Sequence, residues 1–436
     1  MIYAGTSTIL STGHQKHNFH LRSGHIIQHV RVIDIIFISA FLFSFLVPFI
    51  RDLGGAYSLA SEWETTRFAF STTMGRYAAL LDYVQCVLFL LLLLKYVLSH
   101  KNDMLLTSIL SIGGFIIYTI IEIIGKHVEI FDALFGSVPT TVFLLPMFSL
   151  LGNDINLYGI IQKYVKTFAI VSLSLCFLSI IRFHIQCGWG STVGWCPARD
   201  YFALAICFMW ILVTCSKKIK YSEITILCLF MTIIAFMISV RSWVLQTIII
   251  LLYTTLVKSD GMSRSKKIIL FICGIIFVLS IITSIMPSVF QTFTDRLSQD
   301  TRSGQYETFF SQISASSLVL GKGSEAGYLY GTNSNYLFFD NQFIFLMFHF
   351  GLIPICVLGV ILGKAFLSGA RSASFNEKGR LFCAVVYAAA LFGLSTYFPY
   401  TVNAGTVALF MRLGHSDAEG KIFVTKNGIH ELECDK

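Results

Sequence analysis

Five arginines and one aspartate carry the residue types most able to do chemistry in this chain. Arg241 stands in a very short turn, Val240-Arg241-Ser242, between two apolar runs. Arg296 and Arg302 stand in a long polar stretch, 288–341, and Arg182 and Arg199 flank a shorter loop that also holds Cys187 and Cys196. A guanidinium is planar and permanently charged, and it forms paired, charge-assisted hydrogen bonds with phosphate oxygens, so the five together make a candidate cationic pocket for a pyrophosphate. Asp340-Asn341 closes the polar stretch where an apolar run begins. An aspartate there caps a helix, or serves as a base towards a hydroxyl, or does both. The segment Gly321-Lys322-Gly323-Ser324-Glu325-Ala326-Gly327 lacks the spacing and ending of a phosphate-binding loop, which argues against nucleotide binding. Gly321 and Gly323 are read either as a turn that brings backbone close to a ligand or as a plain loop corner.

These groups must be positioned by elements that are almost wholly apolar. Of 436 residues, 55% are hydrophobic and 13% charged, which excludes an ordinary soluble protein. The apolar runs match the thickness of a bilayer core. Twelve spans are expected, at 32–50, 77–98, 104–124, 138–151, 167–181, 201–215, 224–240, 243–257, 268–286, 343–362, 381–398 and 401–411. The fold class is therefore an all-α integral membrane protein with one large outside loop. Residues 1–31 form a cytoplasmic lead-in, 32–411 the membrane domain and 412–436 a cytoplasmic tail. The five histidines of the lead-in fit no compact ligand spacing, and no metal or other cofactor is expected.

The formal net charge of +8 does not signal nucleic acid, because the basic residues cluster between apolar runs as topology signals do. With the N-terminus inside, 22 of the 32 lysines and arginines fall on the inner side and 10 on the outer. That places both termini in the cytoplasm and the polar stretch outside, together with the Arg241 turn and the loop of Cys187 and Cys196. A polar stretch this long is functional or disordered. Its spacing of Tyr306, Phe309, Phe310 and Ile313 indicates a helix, so it is read as folded. In an oxidising compartment Cys187 and Cys196 can close a disulfide; two free thiols are the alternative.

The order of these features resembles the O-antigen polymerase and O-antigen ligase superfamily of bacterial inner membranes. The resemblance rests on the turn Val240-Arg241-Ser242, on Arg302 four residues before Tyr306, on Leu320-Gly321-Lys322-Gly323, and on Asp340-Asn341-Gln342-Phe343 leading to Gly351-Leu352. It covers roughly Thr225 to Arg412. The ligases place histidine where this chain has Asp340, which favours a polymerase. The resemblance implies a GT-C-like bundle and metal-independent, inverting glycosyl transfer at the periplasmic face. The substrate would be an undecaprenyl-pyrophosphate-linked oligosaccharide, and a chain-length regulator and a flippase would be partners in the same pathway. Asp340, Arg302 and Arg241 would be catalytic. Arg296, Arg199, Arg182, Gly321, Gly323 and Asn341 would bind substrate. An O-antigen ligase is the nearest alternative activity, and a flippase or other transporter the alternative of a different class. Transporters usually place charge at mid-membrane and show internal repeats; this chain shows no repeat and gathers its polarity in one outside loop.

Overall fold

In the computed structural model the described residues are 31–59, 66–70, 72–99, 105–125, 127, 129–130, 143–188, 197–215, 220–238, 240–257, 262–298, 301–323, 326–330, 333–336, 339, 341–370 and 402–415. They build an all-α membrane protein with two small hairpins. Helix α1 (Val32–Gly54) runs into the hairpin β1 (Gly55–Leu59) and β2 (Thr66–Phe70), and α2 (Thr72–Ser99) returns beside α1. Helix α3 (Leu105–Ile120) ends in a π-turn, Ile121–Gly125. A 3-10 segment (Leu145–Asn153) then leads into α4 (Ile155–Cys187), which packs along α5 (Pro197–Cys215). Helices α6 (Tyr221–Met237) and α7 (Arg241–Val257) form a tight hairpin covered by α8 (Arg264–Ile285). The polar stretch is folded, as its pattern indicates. It comprises α9 (Pro287–Ser298), α10 (Thr301–Gln312), α11 (Ala315–Leu320) and the hairpin β3 (Tyr328–Tyr330) and β4 (Asn333–Tyr336). Helices α12 (Gln342–Phe350) and α13 (Leu352–Ala370) follow, and α14 covers 404–415.

Six helices among the described residues are long and apolar enough to cross a membrane: α1, α2, the end of α3 with its π-turn, α4, α5 and α8. Apolar segments of α6, α7 and α13 are shorter. Several expected spans therefore change. The fourth, 138–151, is described only from residue 143, and most of that described part is the 3-10 segment rather than a kinked α-helix. Nine residues of 3-10 helix rise about 18 Å, well short of the roughly 30 Å hydrocarbon core. The fifth is far longer than 167–181, since Lys163 and Lys166 lie inside α4; 33 residues of α-helix extend about 50 Å and must tilt or project from a bilayer. The tenth breaks at Gly351 into α12 and α13. The eleventh, 381–398, lies outside the described residues.

Association of apolar helices in lipid depends on close packing and on hydrogen bonds between them, because lipid tails are as apolar as leucine. Both devices are present. Phe41 meets Phe89, Phe168 and Phe208 at ring distances of 5.9, 5.5 and 6.4 Å, which joins α1 to α2, α4 and α5. Helices α5 and α14 are almost wholly enclosed. The start of α14 is held by α1 and α2: the Ala404 amide donates to Ser44 Oγ at 2.8 Å, and Gln85 Nε2 donates to the Val402 carbonyl. At its other end a Cβ on Gly414 would stand 1.6 Å from the Ser149 carbonyl oxygen, so α14 and the 3-10 segment touch backbone to backbone.

Ion pairs set the helix directions. Arg31 pairs with Asp154 at 3.6 Å, joining the starts of α1 and α4, and Arg182 pairs with Asp52 at 3.3 Å, joining their ends. These two helices are parallel, the relative direction that the expected order of twelve spans gives to the first and the fifth. Lys166 meets Glu223 at 2.6 Å in the half of the bundle where α4 and α6 begin. The charge bias and this alternation yield a direct test. A reporter active only outside the cytoplasm is expected to be active when fused after residue 310 and silent after residue 260. The opposite pattern would overturn the orientation.

Candidate functional site

The polar stretch is anchored at both ends. At its start, α9 packs on α6 and α8, with Phe293 against Phe236 at 4.5 Å. Phe236 lies at the end of α6 next to the turn that carries Arg241, so α9, with Arg296 on it, rises beside that turn. At its far end α10 packs on β3 and α12. Phe309, Tyr328, Phe339 and Phe348 form one aromatic cluster: Tyr328 stacks on Phe339 at 4.2 Å, and Phe348 lies 5.2 Å from Phe339.

Two pieces of the sequence motif meet there. Asn341 Nδ2 donates to the Tyr306 hydroxyl at 3.1 Å across 35 residues of chain. Arg302 lies one helical turn before Tyr306 on α10, hence on the same face of that helix. Asn341 rather than Asp340 takes the N-cap position of α12, since its carbonyl accepts from the Phe345 amide at 2.9 Å. Asp340 itself, Cys196, Glu325 and the side chains of Arg296 and Arg302 lie outside what the structure describes.

The Gly-Lys-Gly turn, read as either a backbone approach to a ligand or a loop corner, packs against the end of α12. The amides of Gly321, Lys322 and Gly323 donate to the carbonyls of Ser317, Phe348 and His349 at 2.7, 2.7 and 3.0 Å. His349 Nδ1 lies 2.8 Å from the Gly323 carbonyl. The turn thus closes the carbonyl end of α12, whereas Asn341 stands at the opposite end, about 12 Å away along the axis. Gly321 and Gly323 hold protein backbone through their amides. Tyr118 of α3 joins this junction, its hydroxyl 3.1 Å from the His349 carbonyl and 2.6 Å from Glu122 Oε1.

Arg182 also departs from expectation. One of its terminal nitrogens reaches the Asp52 carbonyl and carboxylate, and the other donates to the Gly55 carbonyl at 2.7 Å. It satisfies carbonyls at the end of α1, a standard use of arginine at a helix C-terminus, so its terminal nitrogens are engaged within the protein. Arg199 and Arg241 stand in the first turns of α5 and α7. The Phe202–Trp243 stack, 4.6 Å between ring centres, locks α5 to α7. Arg199 precedes Phe202 by one turn and Arg241 precedes Trp243 by two residues, so the stack sets both arginines towards the same end of the bundle. Both are half-buried.

Compared with known protein families, curated proteins and solved structures, the chain matches none. Its function has to be argued from its own residues. Among the described residues no three histidine, cysteine, aspartate or glutamate side chains are grouped to share a metal ion.

Four residues now stand out that the sequence reading did not select: Arg51, Asp82, Glu122 and Asp200. Asp82 and Glu122 were legible as acids inside apolar runs, which is a functional signal in itself. What they pair with was not legible. Cys187 is the last residue of α4 and is buried. For the expected bond to Cys196, thiol labelling under denaturing, non-reducing conditions should spare both residues until a reductant is added. Ready labelling of both without reductant would refute the bond.

Proposed function

We propose that this chain polymerises polyprenyl-pyrophosphate-linked oligosaccharide repeat units into O-antigen at the outer face of the bacterial inner membrane. The supporting observation is the Asn341–Tyr306 hydrogen bond, which draws the Arg302 face of α10 to the residue after Asp340. In the reaction the acceptor hydroxyl oxygen attacks the anomeric carbon of the donor with inversion. The bond from that carbon to the pyrophosphate oxygen breaks, and the electron pair leaves with polyprenyl pyrophosphate. The hydroxyl proton passes to Asp340. Arg302, Arg241 and Arg199, with Arg296 beside them on α9, stabilise the charge that grows on the leaving pyrophosphate. Fixed guanidinium groups in a partly dehydrated site supply most of the rate enhancement of such a step. The bundle accommodates the polyprenyl tail.

The surface lipopolysaccharide of a strain lacking this gene tests the reading. Core carrying a single repeat unit is the expected result. Core with no O-antigen would instead indicate a ligase or a flippase, and long chains of normal length would overturn the assignment.

A further inference from the structure

We infer that the outward ends of α1, α2, α4 and α5 enclose a sugar-binding subsite, built on Arg51, Asp82, Asp200 and Tyr201, that holds hydroxyl groups of the oligosaccharide. The inference rests on the proposed polymerase reading for the identity of the glycan. The subsite itself rests on geometry.

Arg51, in the last turn of α1, stands between two carboxylates. Its terminal nitrogens lie 3.6 Å from Asp82 Oδ2 on α2 and 3.7 Å from Asp200 Oδ2 on α5. Both separations exceed hydrogen-bond length, so the guanidinium is centred between the acids without being bound tightly by either. The side chains of Arg51, Asp82 and Asp200 keep 25%, 37% and 29% of their surface exposed, so the group is open at the protein surface. Its inner wall is Tyr201, only 1% exposed. Among the described residues the Tyr201 hydroxyl and Asp200 Oδ2 have no hydrogen-bond partner, although both atoms are buried. The Tyr201 hydroxyl lies within electrostatic reach of Asp52 and Asp200. An ion-pair network serving only to join helices would satisfy its buried polar atoms internally.

The charges specify the ligand. Among the described residues Arg51 and Arg182 face Asp82, Asp200 and Asp52, so the group carries no excess positive charge to recruit an anion. What it offers, at Asp200 Oδ2 and the Tyr201 hydroxyl, is hydrogen-bonding capacity that no described residue uses: a carboxylate acceptor and a hydroxyl able to donate or accept, beside the Arg51 guanidinium. A neutral, hydroxyl-rich ring uses all three. Asp200 directly follows Arg199, which places the sugar beside the rim assigned to the pyrophosphate.

Tyr201→Phe separates this role from a structural one, because it removes a hydroxyl that bonds to nothing among the described residues. The probe is the delipidated single repeat unit from the same strain, titrated against the full chain in lipid nanodiscs. Wild-type protein is expected to bind it. Tyr201→Phe and Asp82→Asn are expected to bind about 10-fold more weakly, the loss of one hydrogen bond to or beside a charged group, and Tyr201→Phe at unchanged melting temperature. Equal affinity in wild type and Tyr201→Phe would overturn the subsite, as would no binding to wild type. Either result, in a protein whose deletion still leaves core with one repeat unit, removes the subsite and leaves the polymerase reading standing. Long chains in the deletion strain would remove that reading itself.

Discussion

Asp340→Asn is expected to reduce chain extension by about 10²–10⁴-fold, the usual contribution of a positioned general base. The side chain keeps its size and polarity and loses its ability to take a proton. The structure sharpens this test, because Asn341 and not Asp340 occupies the N-cap position of α12. Removing the charge at position 340 therefore leaves the cap in place, and protein level and melting temperature should hold. The assay is extension of a lipid-linked repeat unit by protein reconstituted in liposomes, read as product chain length over time. Asn341→Ala should act differently. It removes the donor to the Tyr306 hydroxyl, 3.1 Å away, and so loosens α10 from α12. A smaller fall in rate together with a lower melting temperature is expected there. Long chains made at a normal rate by Asp340→Asn would reduce Asp340 to a loop residue and move the search for a base to other acids of the outer segment, such as Glu307.

Gly351→Ala is expected to destabilise the protein by about 3 kcal/mol or more, a large effect for the addition of one methyl group. Gly351 has φ +76°, in the left-handed region, and an added Cβ would stand 2.0 Å from the Val319 carbonyl oxygen and 2.8 Å from the Gly321 nitrogen. Both obstacles are backbone, so no side-chain rotation relieves them. From the other side, Gly321, at φ +73°, would place a Cβ 2.2 Å from the His349 carbonyl oxygen. The two glycines let α11 and the following turn lie directly on the break between α12 and α13. Widening that contact would separate the turn amides from the Phe348 and His349 carbonyls and free the polar stretch from its seat. The expected signs are a lower melting temperature in detergent and faster proteolysis within 288–341. Gly359→Ala in α13 is the matched control. Its Cβ would meet nothing within 4 Å, so alanine there should be neutral or stabilise by up to about 1 kcal/mol through helix propensity. Equal melting temperatures for the two variants would show that the close approach at Gly351 is unimportant.

Read alone, the sequence determined the membrane class, most helical runs and the folding of the polar stretch. Those properties are local: apolar length against bilayer thickness, and aromatic spacing along α10. It also singled out Arg302, Tyr306, Asp340 and Asn341 as one group by their order along the chain. Local pattern failed where backbone geometry depends on distant neighbours. The 3-10 segment exists beside α14, and the break at Gly351 exists because the Gly-Lys-Gly turn fills it; hydropathy averages across both. Only the tertiary structure decided which arginines are engaged by the protein. Arg182 borders a polar loop in sequence, and in the fold it closes the end of α1 through the Asp52 and Gly55 carbonyls. The same holds for Arg51, which draws Asp82 and Asp200 towards one point from helices that are far apart in the chain. A residue type sets what a side chain is able to bind, but its partners depend on how the helices pack, and that geometry is written in no single stretch of sequence.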